Sequence, residues 1–157
     1  MIRTTRTTAA VTMCAGLLAG GAAAAVAQDS SPATPAAQEL KLTIPAKSFH
    51  YKTFDAKPKG DSTGDSDVNY ASVSGSGRKG HIVQNCVLAK AGRTNLFTCN
   101  GVLELGSGTI YFATGGVDKE GPTQIAITGG TGDFAAANGT IVIDQAGKDF
   151  SVDVHLQ

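Results

Sequence analysis

Hydrophobic and polar residues alternate along most of the chain from residue 40 onward, in short runs separated by glycine-containing turns. A period of two residues is typical of β-strands that bury one face. A shorter alternating segment, residues 40–44, precedes Pro45, and no run keeps a helical period for the ~10–12 residues that a helix needs. Counted from residue 47, the pattern predicts eight strands: 47–55, 68–74, 81–88, 96–105, 109–114, 123–128, 138–144 and 149–156.

The turns between the later predicted strands are short, among them 106–108 and 145–148. Connections of this length join antiparallel neighbours. Eight such strands form either a sandwich or a closed barrel, and the run of short final turns favours the barrel. We therefore predict an all-β fold, an eight-stranded antiparallel β-barrel, as one domain over residues 39–157. Residues 28–38, rich in Ser, Pro, Thr and Ala, are predicted to be a disordered leader.

The N-terminal segment has the pattern of an export signal. Arg3 and Arg6 precede an uncharged stretch that ends in Ala25-Val26-Ala27, the small-x-small pattern of a signal peptidase site. A membrane anchor is the alternative, but Thr, Ala and Gly dilute the apolar run. We predict that residues 1–27 are a cleaved signal peptide, that the protein is secreted, and that it has no membrane contact after cleavage.

Charge and composition narrow the function classes. The whole chain has 13 basic and 13 acidic side chains, and cleavage of the predicted signal removes two of the basic ones. A slightly acidic domain lacks the basic face that nucleic-acid binding requires, so no nucleic-acid partner is expected. The 20 glycines and the absence of Trp fit an all-β domain with many turns.

Two predicted neighbouring strands, 81–88 and 96–105, each carry one cysteine. Export would place both thiols in an oxidising compartment. If the intervening turn centres on Gly92, Cys86 lies directly opposite Cys99, where a disulfide is within reach after a small twist. No second pair of ligands stands at zinc spacing. We predict a structural disulfide between these two cysteines.

The same register places His81 opposite Glu104. If this face pointed inward, the pair would stand in a cavity and could serve acid–base catalysis. If it points outward, the two form a solvated cross-strand pair, and the opposite face with Ile82, Leu103 and the cystine forms the core. The apolar face favours the second arrangement. Tyr111 likewise has two interpretations: it orients a ligand, or it packs at the rim of the barrel.

Residues 127–139 form the most distinctive stretch of the sequence. They are rich in glycine and end at the start of the penultimate predicted strand. A phosphate cradle is one interpretation, but the loop lacks the Lys-Ser/Thr of a P-loop. We predict instead a tight connection whose glycines take positive φ while Phe134 plugs the barrel end. The residues of this motif turn are Gly129, Gly130, Thr131, Gly132, Phe134 and Gly139.

This motif resembles one of the allene oxide cyclase barrel superfamily, which includes the dirigent proteins and small exported actinobacterial proteins. A looser likeness covers residues 54–65, and the resemblance spans roughly 47–157. It implies an eight-stranded barrel that binds apolar or phenolic molecules, in some members steering a cyclisation or coupling without a cofactor. Asp133 matches an acid found in some dirigent proteins, and Asn138 stands where they carry an arginine. Both are weak candidate catalytic residues, together with Tyr111, His81 and Glu104.

Two functions therefore remain open: a cofactor-free barrel that binds a small apolar or aromatic molecule and directs its reaction, or a non-catalytic binding or structural module. An interior cavity above ~300 Å³ would favour the first and a filled interior the second. No metal is expected, because Asp65-x-Asp67-x-Asn69 lacks the later residues of a calcium loop. Association of like chains through outer faces is compatible with the apolar run 141–143.

Overall fold

The computed structural model describes residues 37–117 and 121–157, and the predicted signal peptide and residues 28–36 of the predicted leader lie outside them. Within them, no helix is long and apolar enough to cross a bilayer. A short 3₁₀ turn, Ala46–Ser48, follows the first strand. The strands are β1 (Gln38–Ile44), β2 (His50–Phe54), β3 (Ser66–Gly75), β4 (Arg78–Lys90), β5 (Leu96–Leu105), β6 (Gly108–Val117), β7 (Thr123–Gly132), β8 (Gly139–Ala146) and β9 (Asp149–Leu156).

The strands form one antiparallel sheet that closes on itself. Its order is β1-β9-β8-β7-β6-β5-β4-β3, and β3 returns to β1 through the pair Thr43 and Ser74. The Ser76 hydroxyl supports this closure by accepting a hydrogen bond from the Lys41 backbone N–H at 2.9 Å. The predicted eight-stranded antiparallel barrel is confirmed, with β2 as one extra strand paired to β3 outside the ring.

The first barrel strand differs from the expected one. We expected the segment 47–55 to begin the barrel, but β1 does so, and it starts at residue 38, inside the predicted leader. Leu40, Leu42 and Ile44 of β1 are each only 3% exposed, whereas every residue of β2 is exposed. Pro45 and the 3₁₀ turn redirect the chain after β1. The alternating aromatic residues of β2 therefore lie outside the ring of barrel strands.

The predicted hairpin register is confirmed. Cys86 of β4 pairs with Cys99 of β5, and His81 pairs with Glu104. The sulfur atoms of Cys86 and Cys99 form the predicted disulfide. Ile82, which faces the core, is buried, while His81 and Glu104 are exposed on the outer surface. The face with the cystine therefore points inward, as its apolar character favours.

The barrel end formed by the starts of β6 and β8 and the ends of β5 and β7 is filled by Phe134, which is only 3% exposed. We call it the plugged end. Two glycines make room for the ring and its backbone: a Cβ at Gly130 would overlap the Phe134 carbonyl oxygen, and one at Gly108 would press on the ring. Gly132 turns the chain with φ +59°. The motif thus acts as a turn and plug.

Reduction of the Cys86–Cys99 bond should destabilise the barrel. A crosslink over a 13-residue separation contributes about 3 kcal/mol when it restricts the unfolded chain. We expect a reductant to lower the midpoint of thermal unfolding, measured by circular dichroism, and to leave a C86A/C99A double variant unaffected. Equal melting of the native protein with and without reductant would show that the bond contributes nothing.

Substitution of the motif glycine that faces Phe134 should also destabilise the fold. In G130A the new methyl group would overlap the Phe134 and Thr109 carbonyl oxygens, and overpacking of this kind costs about 1–3 kcal/mol. G92A is the matched control, since a Cβ at Gly92 meets no atom within 4 Å. Chemical denaturation of both variants measures the difference. Equal stability of the two would contradict the close packing of the plug.

Candidate functional site

The barrel interior is hollow at the end opposite Phe134, which we call the cavity end. A cavity of about 210 Å³ lies there, bounded by the ends of several strands and by the segment after β1. Its walls come from six strands and from the residue before β2, so its shape depends on closure of the whole sheet. The lining residues are Ile44, Phe49, Asn69, Tyr70, Ile82, Gln84, Thr123, Ile125, Ile143 and Phe150.

The polar and apolar lining residues lie mainly on different walls. Asn69 of β3 and Gln84 of β4 are direct partners in the register, so their carboxamides stand side by side. The wall from β7 to β9 is mostly apolar, with Ile125, Ile143 and Phe150. The cavity is therefore amphipathic, a type of surface that orients a ligand with one polar edge.

The carboxamides retain hydrogen-bonding capacity. The Gln84 side-chain nitrogen donates to the Cys86 sulfur at 3.2 Å, which is a weak acceptor. The Asn69 side chain has no hydrogen-bond partner among the described residues, although each carboxamide offers two donors and an acceptor. Both groups are therefore available to a molecule in the cavity.

Aromatic rings line the approach beside the closing seam. Beyond the Thr43–Ser74 pair, β1 ends and separates from β3. Phe49, which follows the 3₁₀ turn, lines the cavity, and its ring centroid is 5.8 Å from that of Phe150. The Ser48 hydroxyl holds the 3₁₀ turn against β3 by donating to the Ser72 carbonyl oxygen at 3.2 Å. The Phe49 ring therefore borders the gap from a turn that is anchored to β3.

The cavity volume falls between the two cases considered from the sequence, a filled interior and a cavity above ~300 Å³. It is below the ~300 Å³ that marks pockets for drug-sized molecules, so the interior is neither filled nor wide open. An engineered cavity of roughly 150 Å³ is enough to hold benzene. The observed 210 Å³ therefore suits one or two fused aromatic rings.

Three of the candidate catalytic residues lie on the outer surface of the barrel. Tyr111, His81 and Glu104 are exposed, and none lines the cavity. Instead of an ion pair with Glu104, His81 has a hydrogen bond between its Nδ1 and the Tyr70 hydroxyl at 2.7 Å, with the two rings stacked. His81 also borders an open surface groove that includes Lys79.

Asp133 and Asn138 lie at the plugged end, away from the cavity. Asp133 accepts hydrogen bonds from the Ser107 hydroxyl and from Arg78, whose guanidinium also lies over the Phe134 ring. These bonds, that from Ser107 first, hold the pKa of the Asp133 carboxyl below its usual 3.8. The Asn138 side chain donates to the Gln157 carbonyl oxygen at 3.0 Å. In these positions both residues fasten chain segments together.

The three residues that resemble the start of a calcium loop, Asp65, Asp67 and Asn69, have different positions in the structure. The Asp65 carboxylate accepts backbone N–H bonds from Ala56 and Ser62 at 2.7 and 2.8 Å, and so clamps the loop between β2 and β3. Asp67 and Asn69 belong to β3 instead. Across the part of the chain that the structure describes, no three His, Cys, Asp or Glu side chains are grouped as metal ligands.

Sequence reasoning did not select Asn69 and Gln84 as functional residues. A signal was present, because each occupies an inward position in a strand whose other inward residues are mainly apolar, such as Ala71 and Ile82. A carboxamide at a core-facing position is unusual unless it is hydrogen-bonded. The signal becomes visible only when the inward face of both strands is known.

Three solved structures share the barrel fold of this chain. Pyocyanin demethylase is 22% identical, with a TM-score of 0.64 over 77% of this chain and 99% of its own. The exo-specific intermolecular Diels-Alderase AbnU is 13% identical, with a TM-score of 0.59 over 76% and 97%. The Diels-Alderase AbmU from Streptomyces koyangensis is 13% identical, with a TM-score of 0.62 over 77% and 63%.

These similarities show that the chain shares its barrel fold with these three proteins. No protein-family profile matches the sequence, and no curated protein matches it. The resemblance to allene oxide cyclases and dirigent proteins stays a prediction from the 129–139 motif.

The Asp133 network should make stability depend on pH in the acid range. Because the folded pKa lies below the unfolded value of 3.8, the stabilisation is complete above that value and is lost as the pH falls through the folded pKa. The melting temperatures of the native protein and D133N should therefore differ near neutral pH and converge in acid. S107A should reduce the same pH dependence. A difference that stays constant throughout the acid range would contradict this assignment.

Proposed function

We propose that this chain is an exported barrel protein that binds a small, mainly apolar aromatic molecule, with phenols among the candidates, in the cavity opposite Phe134. The observation that carries the proposal is a mainly apolar cavity of about 210 Å³ with two adjacent carboxamides on one wall. Binding sites for small molecules typically combine an apolar lining with a few polar groups that fix orientation.

The apolar wall and the wall with the two carboxamides would have different roles in recognition. Burial of the ligand's rings against Ile125, Ile143 and Phe150 supplies affinity through removal of apolar surface from water. Asn69 and Gln84 then orient the polar edge of the ligand, since an amide oxygen accepts a phenolic O–H and an amide N–H donates to a carbonyl. A ligand without such an edge would leave the carboxamides without partners, which weakens its binding.

Export is part of the proposal and is supported by one feature of the sequence and one of the structure. Residues 1–27 have the order of a signal peptide. Cys86 and Cys99 stand at disulfide distance, and stable disulfides are common in proteins outside the reducing cytosol. The ligand would accordingly be met outside the cytosol.

The catalytic form of the proposal is that the cavity directs a cyclisation or coupling of its ligand. Three proteins of the same fold carry the names of a demethylase and of Diels-Alderases. A rigid cavity promotes such reactions by holding one reactive conformer and excluding water. The volume restricts this chemistry to small substrates. Binding without reaction is the alternative, favoured by the absence of any charged residue from the lining.

A bulky residue inside the cavity should abolish binding. In I143W the indole would occupy the cavity, whereas in V142W it would project from the adjacent outward position of β8. We expect I143W to weaken binding of 1-naphthol at least ~10-fold, or ~1.4 kcal/mol, with V142W close to the native protein. Isothermal titration calorimetry measures both, and a thermal melt checks that each variant is folded.

Equal affinity of I143W and V142W for 1-naphthol would place the ligand outside the cavity. Failure of the native protein to bind 1-naphthol or other one- and two-ring phenols would contradict the proposed function itself.

A further inference from the structure

Asp67 has a buried carboxylate oxygen without a partner. Its Oδ1 is inaccessible to solvent and has no hydrogen-bond partner in the part of the chain that the structure covers. No Lys, Arg or His among those residues lies within ion-pair distance of Asp67 either. Buried polar atoms are nearly always satisfied in folded proteins, so this oxygen calls for an explanation that the fold itself does not provide.

The position of Asp67 connects it to the cavity. Alternate residues of β3 face inward, as Ala71 and Val73 do in the core, and Asn69 and Asp67 continue the same series. Asp67 also pairs in register with Cys86, which faces inward on β4. Successive residues on one face of a strand are about 7 Å apart. Asp67 therefore lies one inward position beyond Asn69 on β3, next to the residues that line the cavity but not among them.

An unpartnered carboxylate is unfavourable for folding and favourable for binding. Leaving a buried acceptor unsatisfied destabilises a protein, and more so when the acceptor is charged. A ligand that brings a donor to the carboxylate removes this penalty and forms a charge-assisted bond, roughly twice as strong as a neutral one. None of the ten residues that line the cavity is charged. Asp67, which is not itself one of them, is the only carboxylate of β3.

We infer that Asp67 makes this cavity selective for small aromatic ligands that carry a protonated nitrogen, over neutral or anionic aromatics of equal size. The rings would lie against the isoleucines, the carboxamides of Asn69 and Gln84 would contact the polar edge, and the N–H⁺ group would face the Asp67 carboxylate. This inference rests on the proposed function, because it names the class of ligand for the same cavity.

A pair of two-ring probes tests the inference. 4-Aminoquinoline is protonated on its ring nitrogen at neutral pH, whereas 1-naphthol is a neutral molecule of similar size. In D67N the loss of the carboxylate should weaken 4-aminoquinoline about 10- to 100-fold, as expected for a hydrogen bond to a charged group. Binding of 1-naphthol should change less than ~3-fold. Calorimetric titration of both probes into both proteins gives the comparison.

The matched control is D144N, which removes an exposed carboxylate from β8 and should leave both affinities unchanged. Equal weakening of both probes in D67N, or no weakening of either, would overturn the inference. If I143W blocks 1-naphthol while D67N leaves 4-aminoquinoline unaffected, the selectivity for cations fails and the proposed function stands. If neither probe binds the native protein, both fail together.

Thermal unfolding without ligand separates a role in binding from one in folding. Removal of an unpartnered charge should leave the melting temperature of D67N equal to or above that of the native protein, because no stabilising contact is lost. A lower melting temperature would show that Asp67 serves the fold, and would overturn its assignment to ligand selection.

Discussion

The pairing of β4 with β5 decides which side chains face the barrel interior. The bond between Cys86 and Cys99 holds these strands in one register, and a slip of one residue would turn every side chain of a strand to the other face. In the observed register Ile82 and Gln84 point inward and His81 points outward. Each strand transmits this alternation to its neighbour, around the sheet to the seam between β1 and β3.

Packing and function occupy opposite ends of the same barrel. At the plugged end, glycines at positions 108 and 130 allow Phe134 to fill the interior. At the cavity end, the inward positions carry Asn69, Gln84 and Asp67, which fill the space less completely and leave polar atoms without strong partners. Local departures from an apolar core are typical of functional sites, where stability is exchanged for recognition.

The alternation and the cysteine spacing predicted the barrel and the β4–β5 register because both depend on local periodicity. The first strand was misassigned because Phe49 and Tyr51 alternate as buried residues do, although only closure of the ring shows that β1 already fills that place. The site was missed for a related reason. Charged candidates such as His81 and Glu104 attract notice in a sequence, whereas the importance of Asn69 depends on which face is inside.

The proposed function requires that the ligand contacts the cavity wall formed by Asn69 and Gln84. Nuclear magnetic resonance of the side-chain amide groups during titration with 1-naphthol detects this contact, because each carboxamide gives its own signals. Saturable shifts are expected for the signals of Asn69 and Gln84. The signals of Asn85 and Asn100, which pair on the outer face of β4 and β5, should not change. Shifts confined to the outer pair, or the absence of any shift at Asn69 and Gln84 in a bound state, would contradict this contact.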